Sequence, residues 1–163
     1  MLSEPMMEKL LSMRLTGMAE ALKAQQQDPG ATELGFEERL GMLVDQQWNW
    51  RENQALERRM KAAKLRGGAC IEDIDFRASR GLDRSVVRAL AQESNWVAKR
   101  ENLFVLGPTG VGKSYLASAL AQKACRDGYS VFYARAQALF RDLGLARADG
   151  SLGTCWQGWE GSM

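Results

Sequence analysis

Gly107-Pro108-Thr109-Gly110-Val111-Gly112-Lys113-Ser114 is the stretch whose reading decides the fold. It fits the pattern G-x-x-x-x-G-K-[ST], a loop that wraps phosphate groups. Gly107 and Gly112 let the backbone turn tightly and bring successive N–H groups toward an anion. Lys113 can set an ammonium against β- and γ-phosphates, and the Ser114 hydroxyl can ligate Mg²⁺. Tyr115 completes the expected binding set. A helix opening at this point would aim the positive end of its dipole at the same phosphates.

The flanks agree with that reading. Asn102-Leu103-Phe104-Val105-Leu106 is a short apolar run rich in strand formers. Ser114 to Arg126 has helical spacing, with Leu116, Ala119, Leu120 and Ala124 on one face, and Asp127-Gly128 stops it. Ser130-Val131-Phe132-Tyr133-Ala134 reads as a second strand. Ala136 to Ala148 reads as a further helix, weakened at Gly144 and ended by Asp149-Gly150. Strand, glycine loop and helix in this order predict an α/β fold, with the first part of a parallel sheet.

Upstream, the pattern is helical. Residues 3–27 predict one helix, with Ser3 as cap and Asp28-Pro29-Gly30 as its end. A longer helix is expected from Phe36 toward Arg66. Phe36, Leu40, Leu43, Val44 and Trp48 form its first apolar stripe, and a Trp in such a stripe is usually core. Its second half is basic, and Arg51, Arg58, Arg59, Lys61 and Lys64 are candidates for contact with a nucleic-acid backbone. Interspersed Glu52 and Glu57 leave a solvated, salt-bridged face as the plain alternative. Gly67-Gly68 breaks the helix.

Cys70-Ile71-Glu72-Asp73-Ile74-Asp75-Phe76 alternates acidic and apolar residues. It is too short, and on the wrong side of the loop, to be a second nucleotide-site motif, so an edge strand or extended linker is expected. Asp83 is the expected N-cap of the next helix, which buries Val86, Leu90 and Val97.

The composition narrows the chemistry. The 163 residues hold 22 Lys plus Arg against 20 Asp plus Glu, so net charge alone implies no polyanionic partner. There is no histidine, which removes His-based catalysis and most zinc sites. Cys70, Cys125 and Cys155 are far apart and read as free thiols in a reducing compartment. No run approaches the ~18 apolar residues of a membrane span, and residues 1–5 lack the pattern of a signal peptide. The expectation is a soluble cytoplasmic protein with no membrane contact.

These pieces together resemble the IstB-like transposition helper ATPases of bacterial insertion sequences, AAA+ proteins related to replicative helicase loaders. Three stretches carry the likeness: Trp48 to Asn53 with the basic helix after it, Ile71 to Phe76 through Arg80-Gly81-Leu82-Asp83-Arg84, and Gly107 to Leu120. The resemblance implies ATP and Mg²⁺ as cofactors, with Gly107, Gly110, Gly112, Lys113 and Ser114 matching the family's phosphate-binding loop; Pro108, Thr109, Val111 and Tyr115 complete the candidate binding set. It implies DNA, met mainly through its backbone, and a transposase as partners. It also implies assembly into homo-oligomers. Residues 1–76 would be a helical module contacting partner or DNA, and residues 77–150 the start of the ATP-binding domain.

The family pattern continues with a Walker B strand, sensors and an arginine finger, which this sequence lacks. No catalytic residue is therefore assigned, and little or no hydrolysis by the chain alone is expected. In such sheets other strands lie between the first and second, so these two are expected to show open edges and unburied apolar faces. Residues 151–163 turn abruptly to Gly and Trp. A shifted reading frame is the expected origin of this tail, since one back-translation read out of frame gives an amphipathic helix. Two other functions stay open: a helicase loader, and an inert module that binds transposase or DNA through its N-terminal helices alone.

Overall fold

The computed structural model describes residues 3–65, 67–77, 81–92 and 94–154. The expected shifted-frame segment lies largely outside them. The chain divides into two compact units, Met1–Glu57 and Arg58–Met163.

In the first unit the single helix expected over residues 3–27 is two helices, α1 (Ser3–Ser12) and α2 (Thr16–Gln27). The break is a Schellman turn made without glycine. Arg14 takes the left-handed conformation at φ 59°. Leu15 N–H then donates to Leu10 O at 2.8 Å and Arg14 N–H to Leu11 O at 2.9 Å, which satisfies the last carbonyls of α1. Periodicity carries across such a turn, so the sequence did not reveal it. Asp28-Pro29-Gly30 ends α2 as expected. The Asp28 carboxylate accepts from Gly30 N–H at 2.9 Å and opens a short 3₁₀ helix, Pro29–Glu33.

α3 (Phe36–Ala63) follows. Glu38 reaches back to accept from Gly35 N–H at 3.1 Å, half of a capping box. The α2–α3 contact is unusually polar. Gln47 Oε1 accepts from Met18 N–H at 3.0 Å, standing in for the side-chain cap that α2 lacks. Gln25 Nε2 donates to Arg39 O at 3.0 Å. Gly17 makes the close approach possible, because a Cβ there would lie 2.7 Å from Trp50 Cβ and 2.8 Å from Gln46 O. The expected core stripe of α3 is a different matter: Phe36, Leu40, Val44 and Trp48 are all exposed, and only Leu43 is half-buried.

In the second unit, Asp83 caps α4 (Arg84–Ala91) as expected, accepting from Ser85 N–H at 2.7 Å. The buried residues of α4 are Val87 and Ala91, not Val86, which is exposed. Val97 falls in a separate short helix, α5 (Asn95–Ala98). The core joins Ala69, Ile74 and Val87 to Ala119 of α6 (Lys113–Arg126), with Ile71, Phe76, Leu82 and Leu116 packed around them. The acidic segment expected as a strand or linker is thus irregular backbone whose apolar members build the core. α7 runs Ala136–Ala148, the bounds read from the sequence.

The parallel sheet is not there. Among the described residues no strand pairing exists, and the expectation of an α/β sheet domain is overturned. Residues 102–106 and 130–134 are non-helical connections that precede α6 and α7. A strand is stabilised by ladder hydrogen bonds to a neighbour. Among the described residues neither segment forms such a ladder, with the other or with a third segment. Several of their apolar residues stand in solvent, Phe104 at 83% and Leu106 at 87% exposure, whereas Val105 and Val131 are half-buried. No helix among the described residues is long and apolar enough to cross a membrane.

Candidate nucleotide-binding site

The loop between residue 106 and α6 is built from unusual backbone. Gly107, Gly110 and Gly112 have φ of 155°, 87° and 93°. L-residues avoid the left-handed values of Gly110 and Gly112, so glycine at these positions sets the path of the loop. Gly112 is the N-cap of α6 and offers no side chain to the first turn. Its carbonyl accepts from Leu116 N–H at 3.0 Å, which starts the helical ladder. The amides of Lys113, Ser114 and Tyr115 therefore open the helix without an intrahelical acceptor. Lys113 arches back over the loop: its Nζ donates to Gly107 O at 2.8 Å and to Pro108 O at 2.6 Å. Residues 107–110 and the Ser114 side chain are exposed. Uncapped amides, a helix N-terminus and an ammonium on one exposed loop form a surface complementary to a polyphosphate.

The far end of α6 is pinned. Tyr129 N–H donates to Ala124 O at 3.0 Å and Gly128 N–H to Cys125 O at 3.2 Å, with Gly128 at φ 97°. Arg59 Nε donates to Cys125 O at 2.9 Å. Arg126 pairs with Glu72 at 2.8 Å. Asp127 accepts from Ser94 Oγ at 2.7 Å and pairs with Lys123. Burial would raise the Asp127 pKa, but the bonds from Lys123 and Ser94 outweigh it and hold the carboxyl below its ordinary value. Burial pushes the Cys125 thiol up, partly offset by Arg59.

Two hollows flank the loop. A narrow one of about 110 Å³ is lined by Ile74, Leu82, Val105, Val111 and Leu116, with Gly112 and Lys113 on its wall. A wider, open cleft of about 580 Å³ lies along Ser114, Tyr115, Ser118, Tyr133, Arg135 and Gln137. Sequence reasoning assigned no site role to Ile74, Leu82, Tyr133 or Arg135. The alternation over Ile71–Phe76 marked apolar residues but not their destination.

The basic residues of α3, and Lys64 just past its end, fare differently from the loop. Arg58, Lys61 and Lys64 are exposed in the second unit, whereas Arg59 is committed to the Cys125 carbonyl. Arg51 is exposed in the first unit.

The family description "IstB-like ATP binding protein" matches residues 8–159. The chain belongs to the IstB-like ATP-binding protein family. It is 44% identical over 158 residues to the insertion sequence IS1162 ATP-binding protein of Pseudomonas fluorescens, covering 96% of this chain and 68% of the relative. It is 45% identical over 150 residues to the insertion sequence ATP-binding protein y4pL of Sinorhizobium fredii, covering 92% and 61%. An insertion-sequence ATP-binding protein of Mycobacterium tuberculosis is 35% identical over 144 residues, with 88% and 57% covered. The chain thus spans about three-fifths of the length of these relatives. The P-loop and the insertion-sequence character read from the residues agree with this membership.

Proposed function

We propose that the chain binds Mg-ATP through Gly107–Tyr115 and assists DNA transposition by handling target DNA for a partner transposase. The carrying observation is the loop itself: uncapped amides at the head of a 14-residue helix, with Lys113 folded across them. On binding, Lys113 exchanges its two backbone carbonyls for β- and γ-phosphate oxygens, and Ser114 offers its hydroxyl to Mg²⁺. The other loop residues, Gly107, Pro108, Thr109, Gly110, Val111 and Gly112, contribute backbone. The narrow apolar hollow beside Lys113 suits the face of the adenine base.

Turnover is a separate matter. In-line attack by water needs a group that positions it and stabilises developing charge. Among the described residues, neither hollow beside the loop is lined by a carboxylate. The reading is a binder with little or no hydrolysis of its own. DNA would be met through backbone phosphates by Arg58, Lys61 and Lys64, with Arg51 on the first unit and Arg59 serving α6 instead. Such binding is salt-sensitive and weakly sequence-specific. Residues 1–76 would serve the partner and 77–150 the nucleotide, with homo-oligomers as the working form and the cytoplasm as the working place.

The test is MgATP binding to the purified chain beside Lys113→Ala, with DNA present and absent. Binding that disappears with Lys113 supports the reading. Binding that persists in Lys113→Ala, or is absent from both, overturns it. Steady hydrolysis abolished by Lys113→Ala would refute the absence of turnover.

A further inference from the structure

α3 carries a ridge that the first unit leaves uncovered. Phe36, Leu40, Val44 and Trp48 are spaced four apart, so they occupy one i±4 row of the helix surface. They are 78%, 42%, 50% and 67% exposed. The row runs about 18 Å along the axis at ~1.5 Å per residue. On one side the next row, Arg39, Leu43 and Gln47, turns toward α2, where Gln47 holds Met18 and Arg39 meets Gln25. On the other side the next row is Glu37, Gly41, Asp45 and Asn49, all exposed. A Cβ on Gly41 would meet nothing within 4 Å. Glycine weakens a helix interior, and no described residue takes up the space it leaves.

The two rows make a furrow with one apolar wall, a gap at Gly41, and carboxylates at Glu37 and Asp45 along the outer edge. No Lys or Arg stands on either row. We infer that this furrow docks an amphipathic helix of a protein partner, its apolar side chains against Phe36, Leu40, Val44 and Trp48 and its flanking Lys or Arg side chains against Glu37 and Asp45. A single i±4 ridge is the shape that packs into the groove of another helix. Large aromatics at both ends of the ridge supply the anchors that carry helix-in-groove binding. The carboxylate edge favours a cationic peptide and repels a phosphate backbone, which separates this surface from DNA contact. The inference deepens the proposed transposase partnership and rests on it.

The test titrates the full chain against the purified transposase of the same insertion element. Val44→Ala with Trp48→Ala should weaken binding at least about 30-fold. Glu37→Lys with Asp45→Lys should weaken it about 5-fold at low salt and less at high salt. Helicity and MgATP binding should be unchanged in both, since every altered side chain is exposed. Unchanged transposase affinity in both variants overturns the inference. Loss of DNA binding with the transposase retained assigns the face to nucleic acid and overturns it too. A fall in oligomer mass with transposase binding intact assigns it to a second copy, again against the inference. A wild-type chain that binds MgATP but not the transposase sinks this inference and leaves the nucleotide reading standing.

Discussion

α3 and α6 carry the same kind of signal and meet opposite fates. Both have apolar residues at helical spacing. On α6, Ala119, Leu120 and Ala124 are buried, and Leu116 packs against the core. On α3, Phe36, Leu40, Val44 and Trp48 face solvent, while the contact with α2 is made by Gln47, Gln25 and the gap at Gly17. Periodicity says that a helix has an apolar face. It does not say that the same chain covers it. On α6 the covering residues, Ile74, Val87 and Leu82, arrive from segments well before the loop.

The sharpest way to press the comparison is at the head of α6. Lys113→Ala should lower MgATP affinity about 100-fold, the loss of about 3 kcal/mol from one charge-assisted contact, read by calorimetric titration. The next contrast sets core against ridge. Leu120→Ala should destabilise the second unit by about 2–4 kcal/mol in urea melts. Trp48→Ala, a larger truncation, should change stability by no more than about 0.5 kcal/mol, because its side chain is largely hydrated already. Comparable losses at the two positions would mean that the ridge is covered after all.

Gly17→Ala should cost about 1–3 kcal/mol, since the new methyl meets Trp50 and the α3 backbone. A neutral result would show that the α2–α3 approach is looser than described. Arg59→Met should cost about 1–2 kcal/mol by freeing the Cys125 carbonyl at the end of α6. The smallest effect is with pH. The Asp127 carboxyl sits below its ordinary value of 3.8, so its contribution is fully present above that pH and is lost as acid protonates it in the folded chain. Asp127→Asn should remove that part of the acid dependence, a change in Tm of about 1 °C between neutral and acid pH. An identical acid profile in the variant would show that the Lys123 and Ser94 contacts contribute nothing.

How much was legible follows from the range of each interaction. Lys113–Arg126 and Ala136–Ala148 were readable to within a residue, because Asp127-Gly128 and Asp149-Gly150 stop helices through their own backbone preferences. Asp83 as a cap was readable for the same reason. The break at Arg14 was not, because a non-glycine left-handed residue leaves no mark in composition. The path of the glycine loop was legible, since the glycines that turn it and the start of α6 lie within eight consecutive residues. The hollow beside it was not, since Ile74 and Leu82 come from a separate stretch. Arg59 looked like its basic neighbours, and only its distance to the Cys125 carbonyl sets it apart.

The sequence by itself determined the glycine loop, the helix that begins at it, the stops that end its helices, and the family. These rest on φ preferences, caps and hydrogen bonds within a few residues, which travel with the local chain. Tertiary structure alone decided that residues 102–106 and 130–134 form no ladder among the described residues, that the α3 ridge stays in water, and that Ile74 of the acidic segment joins the core. Each of those depends on whether a partner from elsewhere arrives to pair a backbone or cover a face, and local sequence carries no record of that arrival.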